Sequence, residues 1–465
     1  MVSSNLRIKT ASVLLAVLLL LVGVAPVFSS GEKETTAVSG GQMLAPMDGV
    51  KGPFAGGGWR YPTQPVKISV WWHEYAPFTA YEKELIQRYQ TLHPNVSIET
   101  LVASQADVNQ KVTVALASGT GPNILDQDIS FFAAYYDKGV LEPINLQVFG
   151  GASLADIQKE YIGTVINGVT FGGNIYGLPY QTNSMSYVHN IKAYKEAGMS
   201  FEKDQPKTWA DMVTVGSKLK KVEGGKTVRK GYEFPYQSKR WELQAFQPMV
   251  EQEGGTILSA DNTKANLDSD PAVKAMTTWR DLTKAVGDPN YALATASDPN
   301  VDFIDGRTAI WYTGPWATSQ LIDRMGKPYE DWGFTSMAQV NPQKPTTMIY
   351  GFTWGVNKDK SALEKQVSWD FVRFMLARPE EWLQKASFIQ PRSGLLETES
   401  AKSFPYISVH LNDVATGNWY VRSVHTNELV DITGRAIERV IFQGTDPKAS
   451  LTQANQEANK ILDGK

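Results

Sequence analysis

Five carboxylates stand close to the ends of expected strands: Glu74, Asp126, Asp128, Glu233 and Glu242. Two carboxyl groups held at a fixed separation across a glycosidic bond can hydrolyse it, one as acid and the other as base or nucleophile. Position in the chain does not set any two of these at that separation, and among 48 acidic residues a few near strand ends arise by chance. Cysteine is absent, which removes thiolate nucleophiles, Cys-zinc sites, iron–sulfur clusters, disulfides and lipid attachment through an N-terminal cysteine. The five histidines, His73, His93, His189, His410 and His425, include no two at metal-ligand spacing. The chain carries no Gly-x-Ser-x-Gly elbow, no Gly-x-x-x-x-Gly-Lys-Ser/Thr phosphate loop and no His-Glu-x-x-His. Gly172-Gly173-Asn174-Ile175-Tyr176-Gly177 has the wrong spacing for a dinucleotide loop and reads as a turn. Asp298-Pro299-Asn300-Val301-Asp302 opens like a calcium loop but lacks glycine at the sixth place and glutamate at the twelfth, so it reads as a solvated loop. Neither a cofactor nor a metal is expected.

The elements that would position these groups alternate between two periods. Val66–Val70 alternates apolar and polar residues as a strand does, and Tyr81, Leu85, Tyr89 and Leu92 then recur at helical spacing until His93-Pro94-Asn95. Val96–Glu99 alternates again, Val108, Val112 and Ala115 mark a second helix, and Ile124-Leu125 is a short buried strand. Strand, helix, strand, helix, strand predicts a parallel sheet wrapped by helices, with right-handed crossovers. Ligands of such sheets bind beyond the carboxyl ends of the strands, which selects the loops 73–78 and 126–132 and the segment after Leu178. Further helices are expected at 241–252, 272–286, 361–376, 431–442 and 451–462, and further strands at 309–312 and 351–356.

A length of 465 residues is enough for two or three domains, and 42% hydrophobic with 20% charged residues is a globular balance. The net charge of -3 argues against a nucleic-acid partner, which needs a basic footprint. Arg7 and Lys9 precede an uncharged apolar stretch, with small residues near Ser29, as in a secretory signal. Residues 1–29 therefore read as a signal peptide or, uncleaved, as an anchor, and the remainder faces the outside of the cytoplasmic membrane. Residues 30–62, rich in Gly, Ser, Thr and Pro, read as a flexible linker, with Trp59 and Tyr61 at the start of the ordered fold.

Six segments in order then carry a resemblance. They are Leu92-His93-Pro94-Asn95-Val96-Ser97-Ile98; Ala115–Ile124, with Asn123 where an aspartate is usual; Tyr176-Gly177-Leu178-Pro179-Tyr180; Thr208-Trp209-Ala210-Asp211; Thr313-Gly314-Pro315-Trp316; and Tyr350-Gly351-Phe352. From Val66 onward the chain resembles the extracellular solute-binding proteins of carbohydrate ABC importers, the class that includes maltodextrin-binding protein. The resemblance implies an α/β, two-lobe periplasmic binding protein fold of type II. Each lobe is a mostly parallel sheet flanked by helices, and the lobes hinge around a central cleft. It places the N-terminal lobe at 63–181 plus 350–391 and the C-terminal lobe at 184–348 plus 393–465. It implies a periplasmic or cell-surface monomer, not an enzyme, that captures a sugar or oligosaccharide and delivers it to a membrane permease. The rivals are a secreted carbohydrate-active enzyme, or the same fold carrying a polyamine, glycerol phosphate or peptide.

A sugar has C–H faces that suit flat rings and a rim of hydroxyls that suits amides and carboxylates, and the chain has 13 Trp, 19 Tyr and 18 Phe. By resemblance the ligand-binding residues are His73 and Glu74 after the first strand, Gln127 and Asp128 (with Ser130) after the third, and Asn183 past the first crossover. From the second lobe come Tyr236, Trp241 and Trp316, the last stacking on sugar. Phe352 and Trp354 straddle the later crossover on one face of a strand. Arg240 has two equal readings, a hydroxyl donor or a solvated cation. Trp71, Trp72, Trp311 and Trp369 are assigned to the core.

Overall fold

The computed structural model describes residues 41–236, 238–288 and 300–464. The expected signal segment, the first part of the expected linker, and Asp298 and Pro299 of the calcium-like loop lie outside the described residues.

The first sheet grows from the strand Val66–His73, whose Val66, Ile68, Val70 and Trp72 point into the core. It pairs in parallel with Val96–Ala103 on one side and Ile124–Asp128 on the other. The helices Ala76–Leu92 and Gln105–Ala117 make the two connections, as the alternating periods require. The first helix buries Phe78, Tyr81, Leu85 and Tyr89, and it stops at His93, ahead of Pro94, which cannot extend the ladder. Thr347–Asn357, buried along its whole length, runs antiparallel to Ile124–Asp128 and to Gly177–Ser184, and parallel to Gly417–Trp419.

The second sheet has the order 221–223, 226–233, 308–313, 186–190, 332–335. Lys226–Glu233 and Thr308–Thr313 are parallel, while Ser186–Asn190 is antiparallel to both of its neighbours. The chain leaves the first sheet at Ser184 and enters the second at Ser186, with only Met185 between them. Met185 N donates to Met348 O (3.2 Å), which ties this passage to the start of the Thr347–Asn357 strand. Two extended segments thus lie side by side where the sheets meet. Trp72, Trp311 and Trp369 are buried as expected, while Trp71 is half-buried.

Residues 41–62 correct the flexible-linker expectation. Gln42–Met43 pairs with Arg60–Tyr61, and Phe54 is fully buried against Phe149 and Tyr161 with the Arg392 guanidinium 3.7 Å from its ring centre. Arg373 Nη1 donates to Phe54 O (2.8 Å). Tyr61 hydroxyl lies 2.8 Å from Tyr89 hydroxyl, which donates to Asp370. The glycines that suggested a linker serve turns: Gly56, Gly57 and Gly58 all have positive φ, and a Cβ at Gly56 would strike the Arg373 guanidinium.

Candidate site at the junction of the two sheets

The parallel register of the first and third strands brings His73 beside Asp126. His73 Nδ1 lies 2.6 Å from Asp126 Oδ2, and the His73 backbone N–H donates to the same oxygen at 3.0 Å. Tyr180 hydroxyl donates to Asp126 Oδ1 at 2.8 Å. Phe352 stacks on the His73 ring at 4.6 Å and Phe78 lies 5.2 Å from it. Asp128 ends its strand and caps the helix Ile129–Asp137, accepting from Ser130 N at 2.6 Å. Behind this group Glu82 is fully buried and neither of its oxygens has a partner. Burial, with the nearby Asp126 charge, pushes its carboxyl well above the usual range, so it keeps its proton.

Groups from beyond the second sheet reach the same place. Arg240, near the start of the helix Lys239–Gln252, forms an ion pair with Asp128. Trp316 packs edge-on against Tyr350 (5.8 Å, 70°) and Trp241 (5.9 Å, 72°). Tyr75 hydroxyl, from the loop after the first strand, donates to Trp316 O. Gly314 lets the Trp316 ring fold back, because a Cβ there would collide with it. Trp316 is 7% exposed and bonded to the other side of the junction, so it is not sealed within one half.

His73, Asp128, Trp241, Trp316 and Phe352 therefore come together, and Asn183 joins them across the strand from Tyr350, its Oδ1 accepting from Gln181 Nε2 at 3.1 Å. Four expected residues do not. Glu74 is exposed in the loop just past the end of the first strand, its backbone N–H donating to Ala103 O. Gln127 is buried on the sheet face opposite Asp126 and Asp128, as alternation demands. Tyr236 turns into the second sheet's own core, where its hydroxyl accepts from Trp279 Nε1 (2.8 Å) and meets Thr283 Oγ1 (2.7 Å). Trp354 is fully buried in the first sheet's core, stacked on Tyr180 at 4.3 Å. Tyr75, Phe131, Tyr350 and Tyr420 complete the cluster and were missed. Tyr75 and Phe131 had a signal in lying on the selected loops 73–78 and 126–132, and Tyr350 in lying two residues before Phe352 on the same strand face, whereas Tyr420 had none.

The carboxylates of the junction are both bound within the protein, Asp126 by His73 and Tyr180 and Asp128 by Ser130 N and Arg240. Glu233 and Glu242 lie elsewhere: Glu233 pairs with Lys230, and Glu242 is buried against Gly434. Among the described residues no group of three His, Asp or Glu is arranged to hold a metal ion. Rings and bound polar groups from two sheets thus meet at this junction.

Residues 74–381 match the family model described as bacterial extracellular solute-binding protein. The chain belongs to this family. A lactose-binding protein of Rhizobium radiobacter is 23% identical over 337 residues, 69% of this chain and 72% of that protein. A maltotriose-binding protein of Pyrococcus abyssi is 21% identical over 357 residues, 72% of this chain and 69% of that one. An ABC transporter solute-binding protein from Thermotoga lettingae, bound with alpha-D-tagatose, superimposes with a TM-score of 0.73 at 16% identity, covering 85% of this chain and 99% of its own. A substrate-binding protein from Listeria monocytogenes in complex with cycloalternan gives 0.73 at 18%, covering 86% and 100%. The fold of this solute-binding protein is thus the two-lobe one, and its family and structural neighbours are binding proteins. Among the described residues no helix is long and apolar enough to cross a membrane.

Proposed function

We propose that this solute-binding protein captures a sugar or oligosaccharide between its lobes and delivers it unchanged to the membrane permease of an ABC importer. The reading rests on one observation: rings from both sheets meet at Trp316, which touches Tyr350 and Trp241 and is bonded through its carbonyl to Tyr75. Such rings cover sugar faces at little entropic cost. The lobes are residues 63–181 plus 350–391 and 184–348 plus 393–465, hinged where Ser184–Ser186 and Thr347–Ile349 run together. Contacts made by both lobes exist only when they are closed, so binding shifts the population toward closure. The protein works as a monomer outside the cytoplasmic membrane, exported by residues 1–29 and free or anchored through them.

Titration calorimetry against mono-, di- and oligosaccharides, with small-angle scattering for closure, tests this. Binding with a fall in radius of gyration is expected. Silence across the panel from folded protein refutes it, and turnover of an oligosaccharide would instead favour an enzyme. A polyamine cargo wants several unengaged carboxylates, whereas Asp126 and Asp128 are engaged.

A further inference from the structure

Arg240 belongs to one lobe and is held by the other. It stands near the start of the helix Lys239–Gln252, and its guanidinium pairs with Asp128 at the end of the strand Ile124–Asp128. The guanidinium lies 5.5 Å from the Tyr350 ring centre, 5.6 Å from Phe352 and 5.9 Å from Phe131, all on Asp128's side of the junction, and 5.8 Å from Tyr420 on its own. The Arg240 side chain is 14% exposed and that of Asp128 0%. A second contact crosses the other way. Tyr75 hydroxyl, from the loop after the first strand, donates to Trp316 O, and the Trp316 ring meets Tyr350 edge-on at 5.8 Å.

A cation over ring faces is attracted to them, most strongly where water is excluded. A buried ion pair contributes little net stability, but one partner left buried alone is costly, because its charge has lost water without gaining a counterion. Neither lobe needs this pair for its own core. Asp128 keeps its bond from Ser130 N within the first lobe (2.6 Å), and the helix Lys239–Gln252 is anchored in the second by Leu243, Phe246, Met249 and Val250. The cost of an unpaired Asp128 or Arg240 is thus relieved when the two lobes part and water reaches the charge, with each sheet intact.

We propose that Arg240 is a pin between the lobes: seated against Asp128, Phe131, Tyr350 and Phe352, with Tyr75 fastening Trp316 in the opposite direction, it holds the closed form by itself, before any saccharide contributes. This rests on the two-lobe division above and adds what sets the closed population. A ligand then binds a form that the chain itself favours, which lowers the share of its binding free energy consumed by closure.

Small-angle scattering and tryptophan emission of the full chain without sugar test it, beside Asp128→Asn and Arg240→Gln. Each single variant is expected to lower the closed-to-open ratio at least about tenfold. The readings are a larger radius of gyration and a red-shifted, more readily quenched emission as Trp316 meets water, with the circular dichroism of the parent retained. The double variant, which leaves no unpaired charge, is expected to open less than the two single effects combined. If neither single variant folds, Tyr75→Phe decides by the same readings. A parent and folded variants of equal radius, or additive effects in the double variant, overturn the proposal. No sugar enters these measurements, so their failure leaves the saccharide reading to calorimetry, and a silent sugar panel leaves the pin standing.

Discussion

Asp413 is expected to make the stability of the protein depend on pH. It lies on the helix Ile407–Thr416, and its Oδ2 accepts from Ser186 Oγ at 2.7 Å, on the first residue of the strand that enters the second sheet. Its carbonyl accepts from Thr347 Oγ1 at 2.6 Å, on the first residue of the neighbouring crossover strand. His410 Nδ1 lies 3.4 Å from the same Ser186 oxygen. Burial at 1% exposure pushes the Asp413 carboxyl up from 3.8 to about 7, against hydrogen bonds from Ser336 and Ser186. That rise corresponds to about 4 kcal/mol. The folded protein holds this proton more tightly than the unfolded chain. The stabilisation is therefore complete below about pH 4, declines by at most about 1.4 kcal/mol per pH unit, and is lost once pH passes about 7. His410 acts in the other direction. Burial pushes it down from 6.5 to about 3, so its contribution is present above 6.5 and lost as pH falls toward 3. Comparing Asp413→Asn with the parent at each pH cancels the histidine. Asparagine still accepts from Ser186 but carries no buried charge. In urea unfolding followed by tryptophan fluorescence, the variant is expected to gain about 4 kcal/mol on the parent between pH 4 and pH 8. A difference that stays constant across that range refutes the reasoning. It would mean that Asp413 is ionised throughout, with His410 as its imidazolium partner.

Two tryptophans separate binding from stability. Trp316→Ala should weaken saccharide binding at least about tenfold by calorimetry, since a ring face is lost at the junction. Trp354→Ala should instead cost about 3–5 kcal/mol in denaturant unfolding, by removing a fully buried ring from the Tyr180 stack. Phe54→Ala should cost a similar ~3–5 kcal/mol by the same measurement, because Phe149, Tyr161 and Arg392 close around that ring. Lys230→Met leaves Glu233 buried without the cation that holds it at 2.5 Å, and should cost ~3–5 kcal/mol at pH 7. Burial already raises the Glu233 pKa, so that cost should shrink on acidification as the carboxyl takes up a proton.

The parts of the fold that were legible are those with one strong local cause. Val66–His73 alternates because one face meets the helices, and the next helix stops where His93 meets Pro94. The first sheet's parallel order followed from those pieces. Residues 41–62 were misread because glycine and proline serve flexible chain and tight turns equally, and only the buried Phe54 distinguishes the two.

The site was legible to a different degree, for a physical reason. Alternation set Phe352 and Trp354 on one face of a strand, a face that Tyr350 shares, but it carries no information on depth. That strand runs from the crossover into the first core, so Tyr350 meets Trp316, Phe352 meets His73 and Trp354 is entombed against Tyr180 and Trp382. Tyr236 failed for the same reason. Its fate was decided by Trp279 and Thr283 on the helix Asp270–Val286, more than forty residues away in sequence. Arg240 had two equal readings because an arginine next to a tryptophan at a helix start looks alike whether solvated or buried. What resolves it is Asp128, brought in by a strand from the other sheet. A cluster assembled from strand ends of two sheets is therefore readable in composition before it is readable in membership. Ring-rich, carboxylate-bearing loops single out a region of the chain, but which rings meet at the junction depends on distance from it, a quantity that exists only once both sheets have formed.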